Sequence, residues 1–83
     1  MSVLETVTGV VAEVLELEPA EVSPDALLVE DLGMDSVLAI DITTALEKAY
    51  KIRVPEDRMP EYRTVSSIVG IVEELVAAKG ATA

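Results

Sequence analysis

The chain of 83 residues has no histidine, no cysteine, no tryptophan and no phenylalanine. Without His or Cys there is no Ser-His-Asp triad, no thiol nucleophile, no zinc finger and no disulfide framework. Cations are also scarce: 6 Lys and Arg stand against 16 Asp and Glu, a formal charge of −10. Residues 1–47 hold eleven acids and no base, and residues 48–83 hold six bases and five acids. Such a field opposes nucleic acid and anionic membrane surfaces, whose recognition needs Lys and Arg. It favours basic protein partners steered toward the N-terminal half, although charge of this size also serves plain solubility. Long apolar runs are missing too. The longest are about four residues, such as Ala26 to Val29, against the ~20 that a membrane span requires. No basic region precedes the first apolar residues, so no secretory leader is read and a cytoplasmic protein is expected.

What is present is helical periodicity. Half of the residues are apolar, so the chain is not a disordered acidic tail. A first helix is predicted from Val3 to Leu17, with Val3, Val7, Val10, Val11, Val14 and Leu17 on one face. Ser2 and Glu5 have the spacing of a capping box. Gly9 is expected to let a neighbour pack closely, with flexibility as the alternative, and Pro19 to stop the helix at Glu18. A long connection from Glu18 to Asp35 follows, pinned by Ala26, Leu27, Leu28 and Leu32, with a short helical turn conceivable at residues 26–28. The second helix is predicted from Asp35 or Ser36 to about Tyr50, with Leu38, Ile42, Ala45, Leu46 and Ala49 as its core stripe and Asp35 as its N-cap. Ile52 and Val54 alternate in an extended connector. Pro60 suits the first position of a short turn through Tyr62. The last helix starts after Thr64 and buries Val65, Ile68, Val69, Val72, Leu75 and Val76. Lys79 and Gly80 are its stop signals, with residues 81–83 fraying. The fold expected is all-α, a small four-helix bundle of three main helices and one short one, with residues 1–83 as a single domain.

The informative segment is Asp31-Leu32-Gly33-Met34-Asp35-Ser36-Val37. It puts a serine in the first turn of a helix after a glycine turn, where unpaired amides and the helix dipole favour a phosphate. From this segment alone, a serine there for capping is the favoured reading. The segment lacks the second glycine of a G-x-S-x-G elbow, and the chain has no G-x-x-x-x-G-K loop and no EF-hand loop at Asp31. Beside Ser36, Val37, Ile40, Asp41, Thr44 and Glu47 share a face that could dock a basic, partly apolar partner. The competing reading buries Val37 or Ile40 under the long loop.

These residues resemble the acyl carrier protein family. Asp31-Leu32-Gly33-Met34-Asp35-Ser36 is similar to its D-x-G-x-D-S signature. Ala45-Leu46-Glu47, Ile52-x-Val54-Pro55 and Arg63-Thr64-Val65 follow in the family's order, so that residues 2–79 are covered. The resemblance implies a four-helix bundle whose short third helix lies near Pro60 to Tyr62. Ser36 would accept phosphopantetheine from coenzyme A, giving a phosphodiester that ends in a thiol. Acyl groups would ride on that thiol as thioesters, so the sulfur belongs to the cofactor. The carrier would not be an enzyme, and a phosphopantetheinyl transferase would supply Mg²⁺ and the base. Asp35 would cap the helix and help present Ser36 to that transferase. Val37, Ile40, Asp41, Thr44 and Glu47 would meet an acyltransferase, a ketosynthase, or an adenylating or ligase enzyme through basic docking faces. A free-standing monomer of fatty-acid or polyketide synthesis is the expectation. A peptidyl or aminoacyl carrier, and an acidic interaction module without a carrier role, are the alternatives. Met34 departs from the second glycine common in peptidyl carriers, Val37 replaces the usual Leu, and Lys48 interrupts an otherwise acidic helix.

The charge itself yields a prediction. Screening of self-repulsion at −10 should raise the melting temperature as NaCl or Mg²⁺ is added. A melting temperature flat from low to high salt would contradict it.

Overall fold

A computed structural model describes residues 2–81, with side-chain surroundings for 2–79. Three α-helices dominate: α1 (Val3–Leu15), α2 (Ser36–Tyr50) and α3 (Val65–Ala81). Two 3₁₀ helices accompany them, at Pro19–Glu21 and Glu56–Glu61, and no strand occurs among the described residues. The protein is therefore all-α, with three main helices and a short fourth at Glu56–Glu61. Among the described residues, no helix is long and apolar enough to cross a membrane.

Helix α1 begins as its sequence dictates. The Ser2 hydroxyl accepts the Glu5 N–H at 3.1 Å, and the Glu5 carboxylate accepts the Ser2 N–H at 3.0 Å. These hydrogen bonds hold the Glu5 carboxyl below the usual carboxylate range. The helix ends two residues before the expected Leu17. Glu16 turns left-handed (φ 59°), and the Leu17 N–H reaches the Ala12 carbonyl at 2.8 Å. Lys51 closes α2 in the same way (φ 54°), with the Ile52 N–H on the Glu47 carbonyl at 3.2 Å. No glycine marks either stop, which is why sequence reading placed the first one at the proline.

The core is aliphatic. Val7 and Val11 of α1, Ile42 and Leu46 of α2, and Val65, Ile68 and Val72 of α3 are sealed from solvent together with Leu28 of the connecting loop. Ile52 and Val54, as their alternation predicts, turn inward from an extended connector. On α2 the buried face is rotated from the predicted stripe. Ala39 and Thr43 are buried with Ile42 and Leu46, whereas Ala49 is exposed. Thr43 can face inward because its hydroxyl donates to the Ala39 carbonyl at 2.9 Å. It then accepts from the Tyr62 phenol at 2.7 Å, so neither buried hydroxyl is orphaned. Burial raises the Tyr62 phenol above its ordinary value and keeps it protonated as that donor. On α3, Ile71 takes an inward position that the reading omitted, and Val76 is partly exposed.

The 3₁₀ helix at Glu56–Glu61 differs from the turn expected at Pro60 to Tyr62. It starts after Pro55, with Glu56 and Asp57 in its first turn, where acids suit the helix dipole. Pro60 lies inside it, and Tyr62 follows its end. None of its residues is fully buried. Arg58 pairs within it with Glu61 at 2.8 Å and fastens it to α3 by pairing with Glu74 at 2.5 Å. No helical turn forms over residues 26–28. Helix α3 continues past Gly80 to Ala81, and the fraying expected of residues 82 and 83 lies outside the described residues.

Gly9 overturns another expectation. It is exposed, and a Cβ built there meets nothing within 4 Å. Close packing is not its role, so it is a helix-interior glycine that only weakens α1. Gly9→Ala should stabilise the protein by roughly 0.5–1 kcal/mol, read as a higher urea midpoint with an unchanged slope. A lower midpoint would mean that the glycine is needed.

Candidate functional site

The site is built where the long connection meets α2. That connection is held at several points. The Leu28 N–H donates to the Arg63 carbonyl at 2.8 Å, and the Ser66 N–H to the Pro24 carbonyl at 3.1 Å, tying the loop to the entrance of α3. Within the loop, the Asp31 carboxylate accepts the Leu27 N–H at 2.9 Å. The Met34 N–H returns to the Leu28 carbonyl at 2.9 Å, and the Met34 side chain is buried. Gly33 makes the reversal between these contacts at φ +76°, a conformation open to glycine at little cost. Ser36 thus follows a turn fixed on both sides.

Asp35 is the N-cap of α2, as predicted. Its carboxylate accepts the Leu38 N–H at 2.9 Å, and its carbonyl accepts the Ala39 N–H at 2.9 Å. Ser36 is the first helical residue and does not cap. Its side chain is exposed and makes no hydrogen bond to another described residue. Of the two roles open to this serine from sequence, capping is therefore taken by its neighbour.

Ser36 stands at the mouth of a cleft of about 580 Å³ between α2 and the 3₁₀ helix. Its lining is mostly apolar: Met34, Ala39 and Ile40 on one side, Met59, Pro60 and Tyr62 on the other. Val29 joins them at the rim and is 57% exposed. Val37 and Ile40 are exposed by 65% and 52%, so the reading that buries them under the loop is overturned. Asp41 and Thr44 are exposed on the same side. Glu47 differs from the rest of the predicted face. It is half-buried, and its carboxylate accepts the Val54 N–H at 2.8 Å, fixing the connector beyond α2. A second groove of about 690 Å³ continues from Ile40 and Met59 past Thr44 and Glu47 to Arg53 and Pro55.

Sequence reasoning missed Val29, Met59 and Tyr62 as site residues. Their position depends on the 3₁₀ helix crossing α2, for which local periodicity has no signal. An exposed hydroxyl beside an apolar cleft fits a long, flexible group attached through a phosphate. The first turn leaves the Ser36 and Val37 amides without an internal acceptor, and the cleft offers apolar surface for the remainder.

The division of roles between neighbours has a measurable consequence. Asp35→Ala should cost about 0.5–2 kcal/mol by loss of the cap. Ser36→Ala should stay within about 0.5 kcal/mol of the parent, as surface changes do. Equal losses in urea unfolding of the two variants would refute the assignment of the cap.

Comparison with known proteins agrees with this geometry. Residues 5–72 match the family described as "Phosphopantetheine attachment site". The chain is 41% identical over 78 residues to the polyketide-8 synthase acyl carrier protein 2 of Streptomyces avermitilis, covering 94% of this chain and 86% of that protein. It is 32% identical over 74 residues to the acyl carrier protein of Helicobacter pylori, covering 89% and 95%. Against the acyl carrier protein of Thermosynechococcus vestitus it is 32% identical over 76 residues, covering 92% and 94%. On the family match and these relatives, the chain belongs to the acyl carrier protein family, whose members bear a covalently attached phosphopantetheine.

Proposed function

We propose that Ser36 is the attachment residue for phosphopantetheine and that the chain is a non-catalytic carrier serving the enzymes of a synthase. The observation that carries this is the idle hydroxyl. Asp35 caps α2, so Ser36 is left exposed and unbonded beside an apolar cleft. When bound, the group supplies a thiol that holds acyl chains as thioesters. The chain's own residues do the rest. Gly33 and the buried Met34 fix the turn, Asp35 orients the first turn of α2, and Met34, Ala39, Ile40 and Met59 give apolar surface beside the arm. Asp35, the carboxylate next to Ser36 in the chain, is already engaged as the cap of α2, and in this reading a transferase brings the base.

The partner face is Val37, Ile40, Asp41 and Thr44, two exposed aliphatic residues with a carboxylate and a hydroxyl between them. It suits a basic, partly apolar surface of a transferase, an acyltransferase or a ketosynthase. Glu47 acts at one remove, holding the connector at Val54. Polyketide assembly is the pathway we favour, because the Streptomyces relative from a polyketide synthase is 41% identical while the general carriers are 32% identical. At −10 each, two copies repel, which supports a monomer.

The test is intact mass after incubation with coenzyme A, Mg²⁺ and a broad-specificity phosphopantetheinyl transferase. One phosphopantetheine on the parent and none on Ser36→Ala is expected. No addition to folded parent with more than one transferase, or undiminished addition to Ser36→Ala, overturns the reading.

A further inference from the structure

The cations of this protein are few, and their placement is uneven. Three of the six, Lys51, Arg53 and Lys79, line one shallow cleft of about 370 Å³ at the far end of α2. Its other walls are Ile52, Leu75 and Ala78. None of the sixteen carboxylates takes part in the lining. Lys48 sits one turn earlier on α2, exposed.

Helix ends explain part of this. Lys79 donates to the Tyr50 carbonyl at 3.2 Å, and Lys48 lies in the last turn of α2, where the dipole favours cations. Lys51, the C-cap of α2, is also served by the helix end, whereas Arg53 is not. Both lie past the last residue of α2 and are exposed, and neither forms an ion pair among the described residues, where both ion pairs belong to Arg58. Solubility does not call for them, since the net charge of −10 already provides it.

We propose that this cleft is a second docking site, which takes an acidic segment bearing apolar residues from a partner protein. Lys51 and Arg53 meet its carboxylates, and Leu75 and Ala78 meet its apolar side chains. A membrane or a nucleic acid would present negative charge to the whole molecule and be repelled by the acidic half. A second copy of this chain would meet the same repulsion. A short segment meets only the local field, because charges beyond ~8 Å are largely screened at physiological salt. Helix α2 separates the cleft from Ser36 by about 22 Å, fifteen residues at 1.5 Å each. Arg53 also borders the groove that begins at Ile40 and Thr44, whereas Lys51, Leu75 and Ala78 do not, and through these the basic end can be held while another surface holds the start of α2. A partner that keeps the basic end raises the effective concentration of the Ser36 end near it without covering that end.

The site does not depend on the role given to Ser36, and its test uses the unmodified chain. The ¹⁵N-labelled protein is titrated with a synthetic amphipathic peptide of Glu, Leu and Ala, followed by amide chemical shifts. Saturable shifts confined to residues 51–53 and 75–79 are expected, with affinity at least tenfold weaker in a Lys51→Glu/Arg53→Glu variant. The control peptide, with Lys in place of Glu, should leave these residues unmoved. Should charge reversal unfold the protein, Lys51→Asn/Arg53→Gln removes the charges with a residue that tolerates positive φ at position 51. Absence of saturable shifts up to millimolar peptide would overturn the proposal. So would shifts centred on residues 36–47, equal binding by a folded variant, or the lysine peptide occupying the same cleft.

Discussion

Leu28 is the residue on which the geometry at Ser36 depends. Its side chain has no solvent exposure, its N–H is held by Arg63 at the entrance of α3, and its carbonyl holds Met34 just before α2. One residue thereby joins the loop, the start of the last helix and the start of the second. A connection of twenty residues would otherwise be costly to order. Here the cost is met by the buried side chains of Val22, Leu28 and Met34 and a few backbone hydrogen bonds. That junction ties the start of α2 to the start of α3, while α1 packs against both helices.

A small chain without Phe or Trp must draw its stability from close aliphatic packing, and the single buried hydroxyl pair shows how tightly that packing is specified. Thr43 and Tyr62 each find their partner in the other, with the Ala39 carbonyl ending the chain of donors. The pair also joins α2 to the segment just past the 3₁₀ helix. That helix has little burial of its own and relies on this neighbour and on Arg58 to stay against the body of the protein. The walls of the cleft are thus unequal. The α2 wall is packed into the core, and the opposite wall is tethered at its edges.

The sequence made legible whatever local chemistry decides. The capping box at Ser2, the cap at Asp35, the start and end of α2 and the inward pair Ile52 and Val54 could all be read from neighbours within a few residues. It was less informative where distant partners decide. Thr43 reads as polar and outward until Tyr62 is brought to it, and Gly9 reads as a close approach until no neighbour arrives. Glu47 reads as one more surface acid, and it became a fastening for Val54 because the connector doubles back along α2. The left-handed stops at Glu16 and Lys51 lack a glycine and so left no mark in the pattern. At the site, the motif exposed Asp35 and Ser36 to view, whereas the apolar wall of Met59, Pro60 and Tyr62 awaited the fold.

The separation of cap and hydroxyl at Asp35 and Ser36 reaches beyond the site itself. Because the Ser36 hydroxyl makes no hydrogen bond to another described residue, a group attached there would break none. Folding of the bundle and modification of that hydroxyl would then be separable events, since neither draws on a bond the other needs. A protease or a chaperone, both of which sense only loosened structure, would be blind to the chemical state of this position, and discrimination between its states would fall to enzymes that touch the serine directly.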